Sequence, residues 1–189
     1  MKDLKSAVML FVFLTLLVGG MYPAAVTVAA QFLFPRKAQG GLIADEHGRI
    51  IGSELIGQPF TAEKYFWPRP SASGGFAYNP QLSSGSNLGA TNPELLHRVG
   101  EQVDRLRRSG IEGALPADLV TASASGLDPN ISPEAAMLQV PRVAKARGMS
   151  SERLKALVDK HTEERQAGIL GMPRVNVVAI NLALDRKQL

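Results

Sequence analysis

The side chains in this sequence that are most often used for metal binding or acid–base chemistry are its three histidines. His47 falls in a predicted turn, and His97 and His161 fall on two separate predicted helices. Metal sites need several His, Cys, Asp or Glu ligands at short, fixed spacings, and the chain contains no cysteine. We therefore predict no metal site, and we interpret the histidines as solvated side chains at the domain surface.

Two short segments carry groups that phosphate chemistry uses. Segment 83–89 is rich in serine and glycine, but it lacks the Gly-Lys-Ser/Thr ending of a phosphate-binding loop. The Asp-Lys-His-Thr run that begins at Asp159 lies inside a predicted helix and lacks the glycine and second threonine of a phosphorylated aspartate motif. A nucleophilic serine needs a paired base, and Ser123 and Ser125 have no histidine near them in sequence. We predict no catalytic residue in this chain.

Arg69 is placed for a fixed polar contact. It lies between Pro68 and Pro70, and the two prolines keep the backbone around it stiff and extended. A guanidinium held in this way suits a carboxylate or a pair of backbone carbonyl groups. Two alternatives stay open at this point: Arg69 contacts a partner protein, or it staples a loop of its own chain.

Three helices are predicted from capping signals that precede apolar residues at helical spacing. Asn92, Ser132 and Ser150 are the N-cap candidates, and Gly110 and Gly148 end the first two helices. The predicted buried stripes are Leu95, Val99, Val103 and Leu106 on the first helix and Leu154, Leu157 and Val158 on the third.

Strands are predicted at both ends of the soluble part. Segment 41–57 is predicted to form a hairpin, and the near-continuous apolar run 174–184 is predicted to be a strand buried on both faces. Segment 68–93 consists mostly of Pro, Gly, Ser, Thr and Asn, so it is predicted to be a long loop, and its Phe76 and Tyr78 indicate that it packs. Together these elements predict a small α+β (mixed α/β) domain.

An uncharged stretch precedes this domain. Residues 7–34 contain no charge, and a helix of that length is roughly 42 Å long, against about 30 Å for the hydrocarbon core of a bilayer. A membrane helix tolerates the internal Pro23 when neighbouring helices cover the freed backbone groups, so Gly19 and Gly20 are interface candidates. The predicted fold class is a single N-terminal transmembrane helix plus a small α+β soluble domain, with the tail and anchor at 1–35 and the domain at 36–189.

Two properties of the anchor leave alternatives. A signal peptide cleaved near 28–30 would instead release a secreted binding protein, but the apolar run continues beyond that site. Lys2 and Lys5 before the anchor balance Arg36 and Lys37 after it, so the positive-inside rule barely decides the orientation, and a translocated domain is favoured. The net charge of +4 is scattered, which argues against a nucleic-acid partner.

Four ordered motifs resemble the C subunit of Kdp-type potassium-transporting P-type ATPases. They are a segment at 118–129 that continues to 144, a segment similar to FxxRPSA at 66–72, a segment similar to SGGSNLGPTNP at 84–93, and the closing segment 170–184. Ser84 and Ala90 replace the expected Gly and Pro of the third motif, and Met172 stands where Glu or Gln is usual. The resemblance covers essentially the whole chain.

The resemblance implies a four-subunit complex in the bacterial inner membrane. The partners would be a channel-like potassium-binding subunit, the P-type ATPase subunit that carries the aspartyl-phosphate, and a small single-span subunit. The family's C subunit has no catalytic centre, is required for assembly, and is assigned a chaperone-like role that raises the ATP affinity of the ATPase subunit. No cofactor would be tightly bound, ATP would be met through the ATPase subunit, and Gln139 is the candidate ATP contact.

Two hypotheses follow for the domain. In the first, the small side chains of segment 121–129 let backbones approach closely, and its surface, with Ser123 and Ser125, docks outside the membrane on the channel-like subunit and gates potassium entry. In the second, the domain is a nucleotide-binding modulator in the cytosol. Gln139 lies two turns into a predicted helix, and no basic residue lies between Ala114 and Pro141. These observations favour the first hypothesis.

Overall fold

The computed structural model of the chain describes residues 2–186. Met1, the side chain of Lys2 and residues 187–189, which the predicted tail and domain include, lie outside the described residues. The chain divides into two compact units, Met1–Ile51 and Gly52–Leu189. Each unit is held together by its own contacts.

The first unit begins with one long apolar helix. It consists of α1 (Lys2–Leu16), a π-helical turn (Leu17–Met21) and α2 (Tyr22–Leu33). The span Asp3–Leu33 has 31 residues and is long and apolar enough to cross a membrane, and none of its most apolar window is buried within the chain. The predicted single N-terminal apolar helix is confirmed.

A short helix and a hairpin complete the first unit and lead into the second. Helix α3 (Pro35–Ala38) is followed by β1 (Leu42–Ala44) and β2 (Ile50–Ser53), which pair with each other. The Asp45 carboxylate holds the turn between them: it accepts hydrogen bonds from the backbone N–H groups of His47 and Arg49, both at 2.9 Å. The predicted hairpin is confirmed.

In its described residues, the second unit contains five α-helices and a small sheet. The helices are α4 (Pro93–Arg108), α5 (Ala117–Val120), α6 (Pro133–Arg147), α7 (Ser151–His161) and α8 (Val177–Asp185), and the strands are β3 (Asn130–Ile131), β4 (Thr162–Glu163) and β5 (Arg174–Asn176). The strand order is β3-β5-β4, and both pairs are antiparallel, with Ile131 and Thr162 both opposite Val175. Helices α6, α7 and α8 pack against β5, which places the core between them. This mixed helix-and-sheet unit confirms the predicted fold class.

The three predicted N-caps are confirmed. Asn92 accepts a hydrogen bond from Glu94 N–H at 2.9 Å, and Ser132 and Ser150 accept bonds from the third residue of their helices. The predicted stripe of α7 is fully buried, whereas on α4 only Leu106 of the predicted stripe is. The apolar face of α4 is therefore only partly covered by the rest of the domain.

The predicted long closing strand at 174–184 is wrong. The strand β5 ends at Asn176, whose side chain accepts a hydrogen bond from Ala179 N–H at 3.0 Å and begins α8. An apolar run of this length fits a buried strand or a buried helix equally well, and the capping side chain decides between them. The polar cap at Asn176 is the signal that the sequence analysis missed.

Loop 68–93 has little regular secondary structure, and one of its two aromatic side chains is buried. Up to the start of α4, its only regular element among the described residues is the 3₁₀ turn Pro80–Leu82. Tyr78 packs, with 6% of its surface exposed, whereas Phe76 remains 64% exposed. Of the two aromatic side chains expected to pack, only Tyr78 does so.

Candidate functional site

Two helical amides hold the backbone of Phe66 and Trp67, which lie in the short segment 65–67. Gln139 of α6 accepts a hydrogen bond from Trp67 N–H at 2.7 Å and donates one to Trp67 O at 3.1 Å. Asn181 of α8 makes the same pair of bonds with Phe66, both at 2.9 Å. Successive residues of an extended chain present their polar groups to opposite sides. The two amides, which we call the amide clasp, therefore replace the neighbouring strands that segment 65–67 lacks.

A buried arginine reinforces the amide clasp. Arg142 donates hydrogen bonds to the backbone oxygens of Glu63 and Tyr65 at 2.6 and 3.0 Å, and to the Gln139 side-chain oxygen at 2.7 Å. Burial lowers the pKa of Arg142 to about 10, and the Glu63 carboxylate at 3.6 Å opposes that shift. Arg142 therefore stays charged at neutral pH, and its guanidinium group donates its hydrogen bonds to oxygen atoms of its own chain.

The single tryptophan lies between this arginine and helix α4. The guanidinium carbon of Arg142 is 3.9 Å from the centre of the Trp67 ring, and that of Arg105 on α4 is 4.3 Å from it. Each contact is a cation–π interaction, which is strongest for tryptophan and when the cation is desolvated. Trp67 thus connects α4 to the amide clasp.

A second polar cluster fixes the start of the same segment. The Tyr65 hydroxyl donates to Asp185 at 2.7 Å, and Arg147 of α6 donates to Asp185 at 2.8 Å and to Lys64 O at 2.7 Å. Burial raises the pKa of Asp185, but the hydrogen bonds from Arg147 and Tyr65 outweigh it and hold that pKa below its usual value. The hydrogen bond to Asp185 is also the main reason that the pKa of Tyr65 is raised.

The segment of small residues at 121–126 packs closely against loop 68–93. A Cβ at Gly126, whose φ is +67°, would lie 2.6 Å from Ser84 O, and a Cβ at Gly85 would lie 2.9 Å from Ala124 O. The Ser71 hydroxyl donates to Gly126 O at 2.7 Å. The close backbone approach predicted for this segment is confirmed, and its partner is a loop of the same chain. We call this contact the loop–loop seam.

Arg69 lies at the edge of the loop–loop seam. Its guanidinium donates to the Asp128 carboxylate at 3.1 Å and to Ala122 O at 3.4 Å, and the Tyr78 hydroxyl donates to Arg69 O. Burial, with the Asp128 charge, raises the pKa of Tyr78 well above its usual value, so this hydroxyl stays a donor. The structure thus shows the internal staple, and a contact between Arg69 and a partner stays a prediction.

The other predicted site residues lie in three different environments. Gln139 is 0% exposed and belongs to the amide clasp; Ser123 is buried at 8%, whereas Ser125 is exposed. Gly19 and Gly20 lie in the π-helical turn of the first unit, and a Cβ at either would meet no described atom within 4 Å. The structure therefore brings Arg69 together with the segment of Ser123 and Ser125. The ATP contact of Gln139 and the interface roles of the others stay predictions.

Sequence reasoning missed Asn181 of the amide clasp and Arg142, which reinforces it. Asn181 lies within an apolar run, and Arg142 lies on the predicted second helix beside apolar neighbours. A polar side chain inside an otherwise apolar stripe is the one signal that could have indicated them, because such groups are buried only when they are paired. Their backbone partners, 77 and 115 residues away, have no sequence signal.

A metal ion would need a cluster of ligating side chains, and a polyphosphate would need an excess of positive charge. Among residues 2–186, no group of three or more His, Cys, Asp or Glu side chains could hold a metal ion. An open groove of about 540 Å³ lies at the start of α6, and its charged lining residues are Arg69, Asp118, Asp128, Glu134 and Arg174. Three carboxylates against two guanidinium groups give this groove no excess of positive charge.

The fold and the site define a class of protein: a helix of membrane-spanning length joined to a small α+β domain whose buried polar side chains hold its own backbone. Comparison with known proteins narrows that class. The family described as "KdpC: K+-transporting ATPase, c chain" matches residues 4–186. The chain belongs to this family.

Individual relatives agree over nearly the full length. The "Potassium-transporting ATPase KdpC subunit" of Geobacter sulfurreducens is 60% identical over 185 residues, which are 98% of both chains. Proteins of the same name from Citrifermentans bemidjiense and Rhodopseudomonas palustris (strain BisB18) are 53% and 54% identical, over 100% and 98% of this chain and 99% and 98% of their own. The similarity thus extends through both units.

Proposed function

We propose that this chain is a non-catalytic accessory subunit of an ATP-driven potassium uptake complex, in which it stabilises the assembly. The N-terminal helix crosses the bacterial inner membrane once, and the α+β domain lies on the extracytoplasmic side. The observation that carries the structural role is the amide clasp: the side chains best suited to bind a ligand are paired with the chain's own backbone. The names of the relatives support the potassium-transporting ATPase as the assembly.

The partners follow from the same proposal. They are the channel-like potassium-binding subunit, the P-type ATPase subunit and the small single-span subunit. The exposed residues Ala124 and Ser125 of segment 121–126 are available to dock on the channel-like subunit, because the loop–loop seam contacts Ala124 and Ser125 through their backbone oxygens. In that position the domain would cap the potassium entrance without touching nucleotide.

The resemblance also implies that the C subunit raises the ATP affinity of the ATPase subunit, with Gln139 as the contact. The Gln139 amide is 0% exposed, and both of its ends are hydrogen-bonded. A nucleotide could reach this amide only after segment 65–67 left the amide clasp. The extracytoplasmic cap needs no such opening of the amide clasp, and we therefore prefer it to the nucleotide-binding modulator.

The side of the membrane can be tested with a protease. In intact spheroplasts, chymotrypsin should cleave the chain at the exposed Phe76 or Leu82 of loop 68–93, while a cytosolic marker protein stays intact. In inverted membrane vesicles the same loop should be protected. Protection in spheroplasts together with cleavage in inverted vesicles would place the domain in the cytosol and refute the proposed cap.

The nucleotide role can be tested in the assembled complex. We expect Gln139→Glu to lower the amount of intact complex, because it destabilises the domain, while the KM for ATP of the complex that remains is unchanged. The matched control is Gln102→Glu on the half-buried face of α4. A higher KM for ATP at an unchanged amount of complex would favour the nucleotide-binding modulator instead.

A further inference from the structure

The N-terminal apolar helix contains one irregular turn. The π-helical turn Leu17–Met21 separates α1 from α2, and Pro23 lies in the first turn of α2. A π-helical turn is closed by a bond from an N–H group to the carbonyl five residues earlier instead of four. Here Tyr22 N–H donates to Leu17 O. The turn therefore shifts the hydrogen-bond register of the helix by one residue.

This shift deprives the Val18 carbonyl oxygen of its backbone donors. The N–H group four residues later, on Tyr22, is used by Leu17. The residue five positions later is Pro23, which has no N–H group. The nearby hydroxyl of Thr15 does not replace them, because helical Ser and Thr hydroxyls bond to carbonyls earlier in the chain. The Val18 oxygen therefore lacks both of the backbone donors that a helix normally offers it, four and five residues later.

The position of Val18 makes this deficiency unfavourable. Val18 is the middle residue of the span Asp3–Leu33, so in a helix that crosses a bilayer it lies near the centre of the hydrocarbon core. Water is absent there, and irregular backbone is tolerated only where protein or a water-filled cavity covers it. Gly19 and Gly20 follow directly and leave open space beside the backbone in the described structure. Another helix can therefore approach this oxygen closely.

We propose that the Val18 carbonyl accepts a hydrogen bond from a transmembrane helix of a partner subunit. The donor is a hydroxyl or amide side chain, from Ser, Thr, Asn or Gln, that lies near the middle of the membrane against Gly19 and Gly20. The two glycines set how closely the helices approach, and the free carbonyl sets the chemistry and the register. This inference rests on the proposed function, because the ATPase complex supplies the partner helix.

A spectroscopic test observes this carbonyl directly. Labelling with ¹³C-carbonyl valine and ¹⁵N-glycine marks only the peptide bonds Val18–Gly19 and Val99–Gly100, because the chain has no other Val-Gly pair. In solid-state NMR of lipid bilayers, the Val18 carbonyl signal should move downfield in the complex relative to the full-length chain alone. The Val99 signal, from the regular helix α4, should stay in place. An unmoved Val18 signal overturns the proposal, whether the bond is absent or a second copy or water already supplies it in the chain alone.

A variant tests whether the bond stabilises the complex. Pro23→Ala supplies an N–H group that the Val18 carbonyl accepts in the register of the π-helical turn, so we expect roughly a threefold to tenfold loss of partner subunits retained through detergent purification. Pro35→Ala at the start of α3 is the matched control and should retain them fully, since a helix does not use the N–H at that position. Full retention by Pro23→Ala would overturn the proposal. Failure of the unmodified chain to retain ATPase subunits would instead refute the proposed function.

Discussion

The two units of this molecule satisfy their backbone polar groups in opposite ways. In the second unit, segment 65–67 has no strand beside it, and side-chain amides from α6 and α8 pair with its N–H and C=O groups. In the N-terminal helix, Pro23 lacks an N–H group beside a π-helical turn, so the Val18 carbonyl loses both of its usual helical donors. The domain thus pairs this segment from within the chain, whereas we propose that a partner helix pairs the Val18 carbonyl. Changes in the domain should therefore alter folding, and changes in the π-helical turn should alter assembly.

The largest effect on folding is expected from Gln139→Leu. This change leaves the Trp67 N–H and C=O and one Arg142 donor buried without their partner. We expect the free energy of unfolding to fall by about 3–5 kcal/mol. Urea unfolding of the full-length chain in detergent, followed by circular dichroism, measures it.

Two other amides provide the comparison for this prediction. Asn181→Leu removes only the Phe66 pair, so its cost should be smaller, about 2–3 kcal/mol. Gln102→Leu, at a half-buried position of α4, should change the stability by less than about 1 kcal/mol. Equal losses in all three variants would contradict the role of the amide clasp.

Gly126→Ala should give the next largest loss. The new Cβ would combine a φ of +67° with a contact of 2.6 Å to Ser84 O, so we expect a loss of about 2–3 kcal/mol. Gly113→Ala is the matched control, because alanine would also be strained at its φ of +84°, but no described atom lies within 4 Å of the added Cβ. It should lose only about 1 kcal/mol. The difference between the two variants in the same unfolding assay measures the tightness of the loop–loop seam.

A smaller, pH-dependent effect is expected at Asp185. Its pKa is lowered in the folded chain, so its contribution to stability is present above the unfolded pKa of about 3.9 and is lost as the pH falls through the lower folded value. Because Asp185 is partly exposed, we expect a contribution below about 1 kcal/mol. Unfolding between pH 6 and pH 3 should show a weaker pH dependence in Asp185→Asn than in the unmodified chain.

The smallest effect on folding is expected in the N-terminal helix. Gly19→Ile and Gly20→Ile add side chains that meet no described atom of the chain within 4 Å, so unfolding of the domain should change by less than about 0.5 kcal/mol. Retention of the partner subunits in detergent should nevertheless fall several-fold, because the added side chains separate the helices. Ala29→Ile, on the exposed surface of α2, tests whether any bulky residue has this effect. If both glycine variants retain the partner subunits completely, no partner helix packs closely against this π-helical turn.

The local features of the fold were predictable from the sequence because they depend on near neighbours. Asn92, Ser132 and Ser150 cap helices through bonds to residues two or three positions away. The same kind of signal at Asn176 was overlooked, because the apolar run after it has the length and β-branched residues of a buried strand. Local chemistry was therefore sufficient even where our interpretation of 174–184 was wrong.

The candidate site was less predictable because its partners are distant in the chain. Gln139 was chosen as a possible ATP contact, but nothing in the sequence indicates that its amide pairs with backbone 72 residues away. Arg69 was better constrained, since its flanking prolines predicted a fixed polar contact, but not that Asp128 would be the carboxylate. For Gly19 and Gly20, Pro23 indicated backbone groups in need of cover, while the π-helical turn that identifies Val18 appeared only in the structure.

The position of Trp67 gives the isolated chain a built-in optical reporter. It is the only tryptophan of the chain, and the guanidinium groups of Arg105 and Arg142 lie over its indole ring. Its emission spectrum therefore reports on the contact between α4 and segment 65–67, which the amide clasp holds. Added nucleotide, potassium or a purified partner that loosens this place will change the fluorescence without any attached dye, and one that binds elsewhere will leave it constant.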